Sequence, residues 1–568
     1  MSSSEAVEDL ISGEAGSASA AAVIGVLGAG TMGSGIAQLA ARSGAKTLLH
    51  DPVAEALQRG AERARDGLRK EAAKGRISKQ QAQDRGERLE TVASLEQLAP
   101  CELVIEAAPE RLELKHELYA RLSQIVGEHC VLASNTSSLL VTAIAPAASH
   151  PERVVGMHFF NPAPLMALLE VVAGEQSSER ALAIADATGV AMGKRVICAS
   201  DGPGFLVNRC NRPFGLEALR LLQERIADVE TIDRICRMQG GFRMGPFELM
   251  DLVGVDVGFE ISKSFYEQSF GEPRWRPSPI AARYVAAGLH GRKSGRGYYT
   301  YPKQSEGSKL AHREPDPEPP AQSTPHADDR IVVIAGESLL AEELRHYASQ
   351  AGYEVRSPSD PAGDERPALG IECDRAPVAT PSDPATAQAP FEERAAHGLR
   401  LVLCRRGSLS ALDPGGSAVG FHVLAPLENA KLVELTRSES SSPQAAARAE
   451  RFFESLGKHV AWVGDAPGLA LGRIVCQVIN ECAFAYGEGI GSAQDIDTGM
   501  TLGLSYPHGP LAWADTIGLD NVLDVLEALN AEYREERYRP APALRRLVRA
   551  GRLGRATGSG FFEYDVET

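Results

Sequence analysis

The chain has 568 residues, and 59 basic against 75 acidic side chains give a net charge of −16. With 43% hydrophobic and 24% charged residues it has the composition of a soluble globular protein of three to five domains. An acidic surface repels nucleic-acid phosphate and anionic lipid, so neither nucleic acid nor membrane is expected as a partner. Nine cysteines with no CxxC and no Cys/His cluster exclude a disulfide scaffold or a zinc module. The expectation is reduced, mostly buried thiols in a cytoplasmic protein with no metal site.

Residues 1–20 are Ser/Ala/Glu-rich and are expected to be disordered. Residues 16–41 carry no charge but hold six glycines, and Glu5, Glu8, Asp9 and Glu14 precede them without a Lys or Arg. A signal peptide needs a positive n-region, so this run is read as fold. Ala22–Leu27 is a buried parallel strand, and Gly28-Ala-Gly-Thr-Met-Gly33 follows it directly. A helical stretch then runs from Ser34 to Arg42, and a second strand, Thr47–His50, ends at Asp51. Further strands read at Leu103–Ala107 and Cys130–Ser134. Strands alternating with helices predict an α/β Rossmann domain with a parallel sheet, over 21–199.

From residue 200 to 302 the pattern becomes all-α, with one long helix from Phe205 to Gln223, another over 230–238, and a strand-like Gly297–Tyr301. Residues 303–329 hold five prolines and six acidic residues and read as a linker. Arg330–Ala335 starts a fresh strand, and 357–390, with seven prolines, reads as irregular.

An internal repeat organises the rest. Gly156-Met-His-Phe-Phe-Asn-Pro162 resembles Gly420-Phe-His-Val-Leu-Ala-Pro426, and Asp201-Gly-Pro-Gly-Phe205 resembles Asp465-Ala-Pro-Gly-Leu469. His158 to His422, Glu170 to Glu434 and Gly204 to Gly468 share one offset of 264 residues. The chain is a duplicated module. Its second half predicts a degenerate, reduced Rossmann-like domain over 330–463 and a second all-α domain over 464–568.

In the Gly28-x-Gly30-x-x-Gly33 motif, Gly28 permits the tight turn, Gly30 lets a pyrophosphate approach, and Gly33 allows close helix–strand packing. Ala29, Thr31 and Met32 complete this cofactor turn. Asp51, 18 residues after Gly33, suits the ribose hydroxyls and repels a 2′-phosphate, which favours NAD over NADP. His158 and Glu170 lie twelve residues apart on two strand-like segments. Antiparallel neighbours could join them as a general base and its carboxylate partner; taken alone, either residue could equally be structural.

Gly28–Gly33, Ala133-Ser-Asn-Thr-Ser-Ser138, Gly156–Pro162, Glu170, Asp201-Gly-Pro-Gly-Phe-Leu-Val-Asn-Arg209 and Gly291-Arg-Lys-Ser-Gly-Arg-Gly-Tyr298 together closely resemble the L-3-hydroxyacyl-CoA dehydrogenases. The resemblance covers 22–301. The remainder is similar to the tandem form among bacterial 3-hydroxybutyryl-CoA and 3-hydroxyadipyl-CoA dehydrogenases. It implies an NAD-dependent enzyme acting on acyl-CoA thioesters. His158 would be the base, Glu170 its orienting partner, and Ser137 and Asn208 the hydrogen-bond partners of the reacting oxygen and thioester. Glu110, Lys115, Asn161 and Lys293 match positions that contact NAD. Lys74 and Ser137 match CoA-side contacts, and Gly67 stands where the family has a serine. From Arg59 to Lys79 eight basic residues face three acidic ones, a local positive patch suited to CoA phosphates or simply a solvated helix face. The resemblance also implies a homodimer, or a second helical domain packing on the first in its place. Too few residues precede the first strand for an enoyl-CoA hydratase module, so a stand-alone dehydrogenase is expected. The alternatives are a free 3-hydroxy-acid dehydrogenase of the lambda-crystallin type and a non-catalytic protein that keeps the fold.

Overall fold

The computed structural model describes residues 19–301, 315–360, 367–377 and 399–565. Of the amino-terminal segment read as disordered, only Ser19 and Ala20 fall within these residues. The chain forms two compact units: residues up to Cys210 with Ala485–Ser505, and Asn211–Phe484 with Tyr506 onward.

In the first unit, β1 (Val23–Leu27) leads into α1 (Thr31–Ser43) and β2 (Lys46–His50). A helical hairpin follows, α2 (Ala54–Ala73) and α3 (Lys79–Glu87), then β3 (Leu89–Val92) and β4 (Leu103–Glu106). After α4 (Leu112–Ile125) come β5 (Val131–Ser134), β6 (Val154–Phe159), β7 (Leu168–Ala173), α5 (Glu179–Ala191), β8 (Arg195–Ser200) and the short α6 (Val207–Cys210). The sheet order is β3-β2-β1-β4-β5-β6-β7-β8. Every pairing is parallel except β6 with β7. Strands β4 to β7 are buried along their whole length, which is why they read as continuous apolar runs. Chain direction through the sheet reverses between β1 and β4, so a crevice opens at their carboxyl ends.

The second unit begins with α7 (Arg212–Gln223), α8 (Val229–Met238), α9 (Pro246–Val253), α10 (Val255–Gln268) and α11 (Pro279–Ala286). The helix expected over 205–223 is broken: Phe205 has positive φ, and the chain restarts at Arg212 with Pro213 in its first turn. Proline has no N–H to continue the ladder from α6. Gly297–Tyr301 is no strand. It makes only isolated bridges, while the Asp251 carboxylate accepts from Tyr298 N and Tyr299 N.

A second sheet follows, built from β9 (Ile331–Ala335), α12 (Leu339–Gln350), β10 (Glu354–Arg356), β11 (Leu369–Glu372), β12 (Leu399–Leu403), β13 (Val419–His422), β14 (Leu432–Arg437), α13 (Pro443–Ser455) and β15 (His459–Trp462). Its order, β10-β9-β11-β12-β13-β14-β15, repeats the first sheet, and among the described residues β3 has no counterpart. Among the described residues the α2–α3 hairpin also has no counterpart, so this is where the second copy is reduced. Strand β11 falls inside the stretch expected to be irregular; four residues after Pro367 suffice for an interior strand when both neighbours are already parallel to it. The described part of the linker, 315–329, is tied down: Arg237 pairs with Asp316 at 2.7 Å and Ser323 N donates to Ser455 O. Residues 302–314 lie outside the described residues. The closing helices are α14 (Leu471–Gly487), α15 (Ala493–Leu504), α16 (Pro510–Ile517), α17 (Leu519–Tyr533) and α18 (Pro542–Arg549).

The two copies exchange contacts. Within the first unit Arg209 donates to Glu488 at 2.6 Å, and within the second Arg473 donates to Glu224 at 2.6 Å. Ser200 N donates to Ile490 O, and Gly464 N donates to Ile226 O. Each pair becomes the other when the copies are swapped at the 264-residue offset. Likewise α15 packs on β7 and β8, and α8 on β14. Such reciprocity is the pattern of an isologous dimer interface, here written into one chain. Fully buried Arg473 also holds Glu217, and both Tyr533 and Tyr538 accept from its guanidinium, so its charge is compensated.

Candidate active site

Antiparallel register places His158 directly opposite Glu170 on β6 and β7. Nδ1 of His158 lies 2.7 Å from Oε2 of Glu170. A carboxylate only accepts, so Nδ1 carries the proton and Nε2 keeps its lone pair for an incoming hydroxyl. Oε1 of Glu170 accepts from Leu206 N at 3.2 Å and Val207 N at 3.0 Å. Those amides are aimed by Gly204 and Phe205, successive residues with φ of 73° and 52°. A non-glycine residue there costs roughly 1–2 kcal/mol, which the bonds to Glu170 offset. Phe160 and Phe205 flank the imidazole with ring centroids 4.7 and 5.8 Å away.

Ser137 stands exposed on the loop after β5. Glu110 shapes that loop: its Oε1 accepts from Thr136 Oγ1 at 2.6 Å and from Ser137 N and Ser138 N at 3.1 Å. Burial pushes the Glu110 carboxyl up, but the Thr136 bond, the Lys115 charge and the serine bonds outweigh it and hold it below the usual carboxylate range. Lys115 is 1% exposed, with Nζ 2.8 Å from Glu106 and 3.4 Å from Glu110. That ammonium is enclosed between the two carboxylates. Asn208 sits on α6, immediately after the amides that hold Glu170. Asn161 is exposed just beyond β6, where Asn135 Oδ1 accepts from Phe159 N and ties the two loops together. Lys293 belongs to the second unit, where its ammonium meets Asp256 at 2.6 Å.

The crevice at β1 has the shape a dinucleotide requires. A Cβ on Gly33 would stand 1.8 Å from Gly28 O, and one on Gly28 2.6 Å from Ala107 O. A Cβ on Gly30 would meet nothing within 4 Å, so that glycine leaves space rather than filling it. The α1 amino terminus has no side-chain cap and no acidic residue in its first turn, which leaves its N–H groups to an anion. Asp51 frames the turn, accepting from Ala29 N at 2.8 Å and Val53 N at 2.9 Å. Thr31 and Met32 open α1.

On the hairpin, Lys74 caps α2 and is exposed. Gly67 has a steric cause: a Cβ there would lie 2.0 Å from Gln38 Oε1, and Gln38 Nε2 donates to Glu71 at 2.8 Å. A serine there would require the Gln38 amide to move. Arg65, Arg69 and Lys79 line an open cleft of about 660 Å³ between α2 and α3, and Arg69 pairs with Glu62 and Asp66.

The second copy keeps the residues and loses the arrangement. Glu434 still accepts from Ala470 N and Leu471 N, at 2.7 and 3.1 Å. His422 faces it in register, yet its Nδ1 has no hydrogen-bond partner among the described residues. Burial, with Arg405 nearby, pushes His422 down to about 3, and burial pushes Glu434 up to about 8. Both are therefore neutral near pH 7. At the Asn208 position stands Gly472, whose Cβ would lie 2.2 Å from the His422 ring, so helix backbone closes over the imidazole. At the turn after β9, Glu337 N donates to Asp374 at 2.7 Å, as Ala29 N donates to Asp51 in the first copy.

Sequence reasoning missed the part Glu106 plays, the two flanking phenylalanines and the Glu170-binding amides. Only the Asp201–Phe205 repeat, with its paired glycines, carried a signal for the last.

The family description "3-hydroxyacyl-CoA dehydrogenase, NAD binding domain" matches residues 23–202 and again 409–466. The description "3-hydroxyacyl-CoA dehydrogenase, C-terminal domain" matches 204–301 and 468–564. The chain is 34% identical over 522 residues to 3-hydroxyadipyl-CoA dehydrogenase of Escherichia coli K12, covering 92% of this chain and 96% of that one. It is 38% identical over 282 residues to the human mitochondrial hydroxyacyl-coenzyme A dehydrogenase, 49% of this chain and 90% of the relative. A crystal structure of 3-hydroxybutyryl-CoA dehydrogenase from Escherichia coli K12 superposes with a TM-score of 0.75 at 33% identity, covering 94% and 99% of the two chains.

Proposed function

The chain belongs to the 3-hydroxyacyl-CoA dehydrogenase family and is an NAD-dependent oxidoreductase, and from that premise we propose that its first copy holds the whole active site for (S)-3-hydroxyacyl-CoA/3-oxoacyl-CoA interconversion while the second copy is structural. The observation that carries this reading is the contrast between the two His–Glu pairs. His158 is bonded to Glu170 at 2.7 Å, whereas His422 is sealed and its Nδ1 unbonded.

In the oxidative direction Nε2 of His158 takes the proton of the 3-hydroxyl. A nicotinamide cofactor held at the β1 crevice would supply the hydride chemistry at C3. Glu170 fixes the imidazole tautomer and stabilises the imidazolium that forms. Its own position is set by the Leu206 and Val207 amides. Ser137 and Asn208 hold the reacting oxygen and the thioester. Gly28, Ala29, Gly30, Thr31, Met32 and Gly33 receive the pyrophosphate, and Asp51 the adenosine ribose. Glu110, with Lys115 behind it, fixes the Ser137 loop, and Asn161 is a further cofactor contact. Lys74 and the basic face of the α2–α3 hairpin attract the CoA phosphates.

The substrate end of this reading is an acyl chain of butyryl or adipyl length. The Ala485–Ser505 segment, which carries α15, replaces a partner subunit at the first sheet. Among the described residues no helix is long and apolar enough to cross a membrane, and nine cysteines, none of them in a disulfide, suit a reducing cytoplasm. The test is steady-state kinetics on 3-oxoacyl-CoA thioesters of varied length, comparing NADH with NADPH. NADH-specific reduction of a CoA thioester supports the reading. Turnover of the free 3-oxo acid but not its thioester overturns it.

A further inference from the structure

At the carboxyl end of β4, Glu106 stands opposite Leu27 of β1 and takes no part in the chemistry proposed above. It anchors a buried ion cluster with Lys115 and Ser134, each of the three no more than 1% exposed. The members come from three successive elements of the first unit, β4, α4 and β5. Both Glu106 carboxylate oxygens lie 2.8 Å from Lys115 Nζ. Oε1 also accepts from Ala108 N at 2.6 Å, and Oε2 from Ser134 Oγ at 2.7 Å. Ala108 follows the residue whose carbonyl Gly28 packs against, so this bond holds the wall of the cofactor crevice. The same ammonium reaches Oε2 of Glu110 at 3.4 Å. The other Glu110 oxygen accepts from the Thr136 hydroxyl and the Ser137 amide. One buried carboxylate thus touches the crevice wall directly and stands two contacts away from the Ser137 loop.

Stability alone does not account for such a cluster. Taking two charges out of water costs about what their attraction returns, so a neutral pair of the same shape is often as stable. What a neutral pair lacks is a cation that draws in a second carboxylate, and here that carboxylate is Glu110. The second copy supplies a contrast. Its β11 also ends on a glutamate, Glu372, opposite Ala335 of β9, but the partners are Arg375 and Arg400, each at 2.8 Å. Arg400 lies on β12, so that carboxylate ties strand to strand. We propose that Glu106 and Lys115 are positioning residues for the thioester-binding loop: acting through Glu110, the buried pair sets where Ser137 stands, while Glu106 separately holds the crevice wall at Ala108. The inference rests on the dehydrogenase reading above.

The test uses the full chain, acetoacetyl-CoA and NADH, with the neutral pair Glu106→Gln/Lys115→Met as the main variant. The glutamine oxygen can keep the Ala108 amide and its NH₂ group can donate to Ser134 Oγ, so the crevice wall survives and Glu110 loses its cation. The kcat/KM for the thioester is expected to fall about 10- to 100-fold, the span of one or two charge-assisted hydrogen bonds, while the Kd for NADH stays within about threefold. Lys115→Met alone leaves a buried carboxylate without its cation and is expected to melt below the double variant. Glu110→Gln keeps an acceptor for the loop, gives up the bond to Lys115, and is expected to lower kcat/KM by a similar factor. Added to the double variant it should cost no more than about a further twofold, because all three changes act through one link. A merely structural pair would yield neither a loss confined to the thioester nor this lack of additivity. Thermal melting and NADH binding confirm that each variant is folded. A folded double variant with kcat/KM within twofold of wild type overturns the proposal, and so does a triple variant whose losses multiply. The Glu110 side chain is 35% exposed, so Glu110→Gln reports even where changes to the buried pair prevent folding, and kcat/KM within twofold of wild type in that variant overturns the proposal by itself. A wild-type chain that reduces no 3-oxoacyl-CoA thioester refutes the dehydrogenase reading and this inference with it. A wild-type chain that reduces one while Glu110→Gln and the double variant match it refutes this inference alone.

Discussion

Replacing Glu170 by glutamine changes no heavy-atom position and yet should disable the base. Three donors surround that carboxylate: the amides of Leu206 and Val207 on Oε1, and His158 Nδ1 on Oε2. An amide side chain offers one accepting oxygen and one donating nitrogen. With its nitrogen toward the backbone, two buried N–H groups would lose their acceptor, at about 1–3 kcal/mol each. With its oxygen toward the backbone, both stay satisfied, and the NH₂ group meets His158. The second orientation is therefore favoured by roughly 2–6 kcal/mol. It forces the imidazole to accept at Nδ1 and to carry its proton on Nε2, the tautomer that cannot take a proton from the substrate. Glu170→Gln should lower kcat by about 10²–10⁴-fold. NADH affinity should stay within a few-fold of wild type, because the cofactor crevice lies at β1. The assay is NADH oxidation with acetoacetyl-CoA, with NADH binding measured by fluorescence and folding by thermal melting. A folded variant with kcat within threefold of wild type would refute the tautomer argument.

Other outcomes follow from the same geometry. Gly30→Ala should fold normally, since its Cβ meets nothing and its φ of −68° suits alanine, but should raise the KM for NADH at least about tenfold. Gly33→Ala, with a Cβ 1.8 Å from a carbonyl oxygen, should yield less soluble protein than wild type when the two are expressed side by side. A carboxyl held near 8 in the fold and near 4.5 when unfolded stays protonated while the unfolded chain ionises, so it costs stability increasingly as pH rises from about 4.5 to about 8. Glu434→Gln removes that cost, so its melting temperature relative to wild type should be higher at pH 8 than at pH 5 by at least about 2–4 °C; equal differences at the two pH values would count against it. A chain ending at residue 302 lacks α15 and Glu488, so it should self-associate to cover β7 and β8 again. Light scattering and activity measured together decide this: a soluble, monomeric and fully active fragment would contradict the exchanged-contact picture.

The first module was legible because its chemistry is local. Glycines at fixed spacing after an apolar strand have few other uses, and a two-residue period leaves His158 and Glu170 on one face once β6 and β7 are antiparallel. The repeat located the second copy, but composition misled where tertiary context overrode it. Leu369–Glu372 is a strand because its neighbours recruit it, although prolines crowd the surrounding sequence. The 205–223 helix breaks because Pro213 removes a donor, and Gly297–Tyr301 stays irregular because Asp251 takes its amides. Sequence spacing could not reveal that Lys115 pairs with Glu110, that the Gln38 amide occupies the space beside Gly67, or that α15 belongs with the first sheet. Each depends on contacts between residues far apart in the chain. The two His–Glu pairs keep their residue types, and sequence separates them by the absent GxGxxG turn and by Gly472 in place of Asn208. What divides them is the missing Nδ1 bond and the backbone of Gly472 over the ring.

The central claim is that one of two matching His–Glu pairs does the proton chemistry. Single-turnover reduction of acetoacetyl-CoA by NADH in the full chain, comparing His158→Gln with His422→Gln, tests it most directly. The account predicts that His158→Gln binds NADH and slows the turnover about 10²–10⁴-fold, whereas His422→Gln proceeds at the wild-type rate. A fast His158→Gln, or a His422→Gln slowed to the same degree while still folded and binding NADH, would contradict it.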